Sequence, residues 1–381
     1  EKNYIVNGFL AKTRAEELPG GPNTLVYVTE KVENVTARVL KDLGADLTGR
    51  QRNEAISQRV KALIAECESD KTSRCSVPAF HRGLEYYRIK QLMIRDVRLV
   101  YAPSDKIGNF GGDIDNYEWP RQTGDYTFLR AYVGPDGRPA DPSPNNVPYK
   151  SKDFLVVSAE GLKNGDPILL AGYPGRTSRY KLPSEIRFAR DTDFPAKVST
   201  ITADLAVIAD ATKGNPAWDV RYASVAKGLN NVLKKTQGLL DGFARKDVAA
   251  IKDVQDAEFR AWYAKNGSGP KLLADLDAVI AADMALSREE GAWLEASHSD
   301  LLKSARSLYR LAQERQRPDA QREAGYQERD LSFIKARLTR LEQSFVPSVD
   351  EARFGASLQR YSKLAAKTHP QGLDALLPAP A

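Results

Sequence analysis

The amino-acid sequence predicts an α+β fold: a β-rich part over residues 1–194 and an α-helical part over residues 195–381. Two observations carry this expectation. Several short runs before residue 180 alternate apolar and polar residues, as half-buried strands do. From about residue 195 the chain becomes rich in Ala, Leu, Lys, Arg and Glu, with apolar residues recurring every three or four positions. Strands gathered in one half and helices in the other imply two domains.

The elements follow in order. Residues 25–36 (LVYVTEKVENVT) alternate as a strand. Ile56, Val60, Leu63 and Ile64 share one face of a helix over 50–66. Residues 84–102 read as two β-rich runs, and 126–133 (YTFLRAYV) as another strand. A proline-rich loop precedes two further strands, expected at 154–158 (FLVVS) and 167–175 (PILLAGYPG). In the helical part, Leu229, Val232 and Leu233 form one apolar stripe. Leu272, Leu273, Leu276 and Ile280 form a second, and Leu331, Ile334, Leu338 and Leu341 a third. Asn266–Pro270 and Pro318 separate these helices.

Composition narrows the function. The chain has 381 residues, 42% hydrophobic and 28% charged, with a net charge of +6, which describes an ordinary globular protein. The positive charge is dispersed, and no basic run is interleaved with aromatics, so nucleic acid is not an expected partner. No apolar stretch is long enough to span a membrane. The opening, EKNYIVNGFLAKTRAEE, has the character of the interior of a protein.

Cys67 and Cys75 lie in ECESDKTSRCSV. A zinc site needs more ligands than His81, the only histidine nearby. A short-loop disulfide is the expectation, and it would place the chain in an oxidising compartment; two unrelated thiols are the alternative. No metal or cofactor is implied elsewhere. Asp113 and Asp115 have the spacing of an EF-hand loop, but Tyr117 and Glu118 stand where that loop needs an oxygen ligand and a glycine.

A serine-peptidase triad can be sketched as His81–Asp125–Ser268. His81 precedes Asp125 by 44 residues, near the separation of about 45 in one triad order. The sketch is weak. Ser268 lies in NGSGP, whose small residues are explained by a turn between helices. His81 enters a strand from a loop, and His298 and His369 read as solvated helix and tail residues.

A stronger signal is the stretch FGGDIDNYEWPRQTGDYTFLRAYVG at 110–134, where glycines and aspartates crowd around Trp-Pro-Arg. It resembles the signature of the bacterial dipeptidyl peptidases 7 and 11, which is close to FGGDTDNW-x-WPRHTGDFS-x-FR-x-Y. The resemblance continues in NGFLAKTRAEELP (7–19) and NVPYKSKDFLVVSAEGLKNGDPILLAGYPGRTSRY (146–180), and covers roughly 1–265. It implies a serine exopeptidase with a chymotrypsin-like double β-barrel and a large helical cap, so that 1–194 would hold part of the barrel and 195–381 an incomplete cap. It implies that Asp125 is the triad carboxylate. Asn116 and Tyr117 would grip the free amino end of the substrate, and Asn231, or its neighbour Asn230, would touch the substrate backbone from a helix. Two positions depart from the pattern: Tyr117 replaces a Trp, and Gln122 replaces a His.

The family's NHHC-like motif with the catalytic His and its GNSGS-like loop with the Ser do not occur in these residues. The chain is therefore expected to be an internal fragment, inactive alone, of a periplasmic dipeptidyl aminopeptidase acting on oligopeptides with a free N-terminus. A homodimer is compatible with this. A non-catalytic peptide-binding or scaffold protein that keeps the recognition loop is the alternative, and a self-contained hydrolase using His81 and Ser268 is the third reading.

Overall fold

Backbone polar groups must be paired, so each alternating apolar run becomes a strand only where another lies beside it. In a computed structural model of the chain, residues 3–21, 24–44, 46–69, 72–170, 172, 180–365, 368–370 and 372–373 are described. They fall into two compact units: 1–112, 120–159 and 308–339 form the first, and 113–119, 160–307 and 340–381 the second.

The first unit opens with the short helix α1 (Tyr4–Asn7), the two-residue strands β1 (Phe9–Leu10) and β2 (Leu18–Pro19), and the strand β3 (Val26–Asn34). Next come helices α2 (Thr36–Leu40) and α3 (Gly49–Cys67). Strands β4 (Ser73–Ser76), β5 (Ala79–Phe80), β6 (Glu85–Ile94) and β7 (Asp96–Ala102) follow, then the one-turn helix α4 (Asp105–Gly108) and strands β8 (Phe128–Val133) and β9 (Val147–Pro148). One antiparallel sheet runs β3-β6-β4, with β5 also on β6. The other runs β1-β7-β8-β9, with β2 also on β7. A bulge between Thr29 and Lys31 interrupts the register of β3 on β6.

Helix α3 starts at a capping box: Gln51 N–H donates to Thr48 Oγ1, and Thr48 N–H donates to Gln51 Oε1. The expected apolar face of α3 packs there: Ile56, Val60, Leu63 and Ile64 meet Val35, Val39, Val77 and Tyr86. Cys67 and Cys75 form a disulfide between the end of α3 and β4, with Cα atoms 6.2 Å apart. Around it, Arg74 pairs with Asp330 at 2.9 Å and Arg329 with Glu68 at 2.8 Å, fastening residues from 308–339 to the sheet edge. Beneath β7 and β8, the buried Tyr132 hydroxyl donates to Glu17 at 2.7 Å, and the Arg98 guanidinium lies 3.9 Å from its ring centroid.

The second unit is helical: α5 (Pro183–Phe188), α6 (Phe194–Thr212), α7 (Pro216–Arg245), α8 (Val248–Asn266) and α9 (Lys271–Ala296). Helices α10 (Asp300–Glu314) and α11 (Leu331–Ser344) each run from one unit into the other, and α12 (Pro347–Tyr361) closes the set. Pro216 takes the first position of α7, behind an Asn215 side chain that accepts from Trp218 N–H at 3.3 Å. Ile208 of α6, Tyr222 of α7, and Val346 and Val349 beside or on α12 form the core, with Leu229 packed against it. Below them Asp204 and Arg353 are buried together. Arg353 donates twice to the Asp204 carboxylate, at 2.9 Å each, and His298 Nε2 lies 3.3 Å from the same carboxylate and 3.0 Å from the guanidinium.

The α+β expectation holds. Four local expectations do not. Residues 154–158 and 167–170 pair with no strand among the described residues; Leu155 and Leu169 are 95% and 96% exposed. Both runs are apolar almost throughout, but no described neighbour completes a ladder; Ala171 and residues 173–175 of the second expected strand lie outside the described residues. His298 is only partly exposed, because its ring lies against the buried Asp204 and Arg353. His369 is half-buried and stacks on Tyr361, with centroids 4.3 Å apart.

Candidate functional site

The candidate residues arise on both units, and each unit builds its own part. In the first, the chain leaves β7, turns through α4, and returns toward β8 along 120–127. The return is tied to the turn: Gly124 N–H donates to the Ile107 carbonyl at 3.0 Å, and the Thr123 hydroxyl reaches the Gly108 carbonyl at 3.0 Å. Gly124 allows this approach, since a Cβ there would lie 2.7 Å from Ile107 Cγ2. Asp125 follows directly and is exposed, and its carboxylate has no hydrogen-bond partner among the described residues. Tyr126 stacks on Tyr101 at 5.5 Å, fixing the chain just beyond it. The carboxylate therefore stands on an anchored backbone with its oxygens presented outward.

In the second unit, residues 113–119 lie on α7. Gly111 and Gly112 lead into this loop with φ of 79° and 50°, a region costly for other residues. Asn116 donates from Nδ2 to Asn231 Oδ1 at 2.9 Å, so two residues 115 apart in sequence meet. The donation commits the amino end of the Asn116 amide to the helix; its carbonyl oxygen is the other end. Tyr117 follows with φ 60°, a left-handed conformation that an aromatic residue rarely adopts, and its ring is exposed. Asp115 O accepts from Glu118 N–H at 3.0 Å, closing a turn that presents both Asn116 and Tyr117.

Sequence reasoning missed Lys234. Its ammonium donates to the Asp113 carbonyl at 2.8 Å and to the Ile114 carbonyl, and faces Glu118 at 3.5 Å. The available signal was its place three residues after Asn231, on the same helical face.

The remaining candidates have local duties. His81 is exposed, has φ 49°, and faces Glu85 at 3.9 Å. Ser268 shares a hydrogen bond with the Tyr263 hydroxyl at 2.9 Å. They belong to different units. Among the described residues no group of three or more His, Cys, Asp or Glu could hold a metal ion, and no helix is long and apolar enough to cross a membrane. In the second unit the geometry offers an oriented amide beside an exposed aromatic ring, and in the first it offers an exposed carboxylate on an anchored backbone.

Comparison with known proteins agrees with the family resemblance. The chain matches the Peptidase S46 family over residues 1–379. It is 46% identical over 363 residues to an Asp/Glu-specific dipeptidyl-peptidase of Shewanella putrefaciens, covering 95% of this chain and 49% of that protein. It is 33% identical over 303 residues to dipeptidyl-peptidase 7 of Capnocytophaga gingivalis, covering 79% and 41%. The structure resembles the crystal structure of Porphyromonas endodontalis DPP11 in complex with the dipeptide Arg-Glu. There the TM-score is 0.73 at 27% identity, over 98% of this chain and 54% of that one. The chain thus spans about half the length of these relatives. With nearly every residue inside the match, this chain belongs to the peptidase S46 family.

Proposed function

We propose that this chain is the substrate-recognising portion of a serine dipeptidyl aminopeptidase, which releases dipeptides from the free N-terminus of oligopeptides. The observation that supports it best is the 2.9 Å hydrogen bond between Asn116 and Asn231. Family resemblance assigns each of them separately to the substrate, and the fold brings them together.

In this reading, Asn116 and Tyr117 hold the substrate's N-terminal residue: the amide oxygen accepts from the ammonium, and the ring walls the side chain. Asn231 reaches the peptide backbone from α7. Asp125 orients a histidine supplied by sequence outside this chain, keeps its tautomer, and stabilises the imidazolium as that histidine takes the proton of a serine. The exposed apolar segments 154–157 and 168–170 support this division, since their partner strands would then belong to the rest of the protein. The setting is periplasmic, which the Cys67–Cys75 disulfide supports. No cofactor takes part.

Two measurements test the proposal. Titration calorimetry on the 381-residue chain should show binding of tripeptides carrying Glu or Leu second, lost when the amino group is acetylated; equal binding of the acetylated forms would overturn the recognition role. A fluorogenic dipeptidyl substrate should not be turned over by this chain, and turnover that Asp125→Ala abolishes would overturn the fragment reading. In the protein extended by its flanking coding sequence, Asp125→Asn should lower kcat by roughly 10⁴. Unchanged kcat there would favour a non-catalytic binding protein.

A further inference from the structure

We infer that Lys234 is a positioning residue for substrate recognition, a clasp that holds the loop 113–118 against α7 so that Asn116 adopts one orientation. The inference rests on the reading of Asn116 as the contact for the substrate's amino end.

An ammonium has three N–H donors. Two of those of Lys234 go to the carbonyls of Asp113 and Ile114, and the ammonium also faces the Glu118 carboxylate of the same loop at 3.5 Å. Two of these acceptors are consecutive main-chain carbonyls. Holding both on one nitrogen bends the backbone around the lysine, and the chain then comes back over the helix with Asn116 at Asn231. Glu118 secures the far end, just past the left-handed Tyr117. The lysine side chain is 30% exposed, so it is partly sheltered from the water that would compete for these carbonyls.

The need for a clasp follows from the loop's own sequence. Gly111 and Gly112 give its entry wide conformational freedom, and a tyrosine at φ 60° is strained. Neither favours a single conformation unless something outside the loop selects it. Lys234 and Asn231 sit three residues apart on α7, so one helical face supplies both the clasp and the partner amide. Among the described residues the hydrogen bonds and ion pair of the Lys234 ammonium all go to the loop, and its effect on substrate passes through Asn116 and Tyr117.

The test uses the 381-residue chain and the tripeptides of the recognition experiment, with Lys234→Met, Lys234→Arg and Asn116→Ala. If the freed loop is competent about one tenth of the time, apparent affinity for the free-amino tripeptide falls about tenfold in Lys234→Met. Arg, which can still donate to both carbonyls, should recover most of it. A purely structural role would lower the melting temperature; here it should stay within a few degrees of the parent, while hydrogen exchange of the Glu118 amide accelerates. Parent-like affinity in Lys234→Met, with binding lost in Asn116→Ala, would overturn the clasp and leave the recognition reading standing. Unaltered chain that ignores the free amino group, or Asn116→Ala that binds like the parent, would overturn the recognition reading first, and the clasp's role with it.

Discussion

Replacing Arg353 with Met tests how the second unit supports the helix that bears the site. Asp204 and Arg353 have side chains only 3% and 6% exposed, and Arg353 supplies two of the hydrogen bonds to that carboxylate. Burial pushes the Asp204 carboxyl up, but hydrogen bonding and charge from His298 and Arg353 outweigh it and hold it well below the usual carboxylate range. Removing one partner of a buried ion pair costs about 3–5 kcal/mol, mostly the penalty of the charge left behind. With a urea slope of about 3 kcal/mol/M, the midpoint should fall by at least about 1 M at pH 7.

The pH dependence gives the sharper signature. In the parent the folded Asp204 pKa lies below the unfolded one. Its contribution is full above the unfolded pKa of about 3.9 and is lost as pH falls toward the folded value. In Arg353→Met, only His298 remains to offset desolvation, so the folded pKa rises and the carboxyl can protonate to lessen the penalty. The deficit should therefore shrink between pH 7 and pH 4. Urea unfolding followed by helical circular dichroism at both pH values is the assay. A deficit under about 1 kcal/mol at pH 7, or one unchanged at pH 4, would refute the reasoning, since a buried carboxylate stripped of its guanidinium should cost more than a surface pair is worth.

Two further outcomes are expected. Gly124→Ala would put a Cβ 2.7 Å from Ile107 Cγ2, so it should destabilise by about 1–3 kcal/mol in thermal or urea melts. Adding Ile107→Ala should return part of that loss, and strictly additive effects would contradict the contact. Removing the Cys67–Cys75 bridge by a double Cys→Ala change opens a loop with a sequence separation of 8, worth about 2–3 kcal/mol in the chain-entropy account. A midpoint that is unchanged, and also insensitive to reductant in the parent, would contradict it.

Much of the secondary structure was legible because its causes are local. Ile56, Val60, Leu63 and Ile64 mark the buried face of α3 by spacing alone, and 84–102 reads as the two strands β6 and β7. The strand expected at 154–158 failed because a short apolar run states that burial is favoured, not whether a neighbouring strand is present to pair with it. Long-range polar pairing was invisible to any window: Arg353 and Asp204 are 149 residues apart, and Arg74 and Asp330 are 256 apart. For the same reason His298 gave no sign of its burial. At the site, Asn116, Tyr117, Asp125 and Asn231 came from family resemblance, not from periodicity or spacing. Lys234 escaped because its spacing from Asn231 marks a shared helical face but not the main-chain carbonyls it binds there.

The central claim is that Asn116 and Asn231 act as one recognition unit, and a double-mutant cycle on calorimetric affinity for a free-amino tripeptide tests it most directly. Asn116→Ala and Asn231→Ala should each weaken binding, and together do little more than the worse of the two, with a coupling of about 1 kcal/mol or more. Losses that simply add, or single variants that bind like the parent, would contradict it.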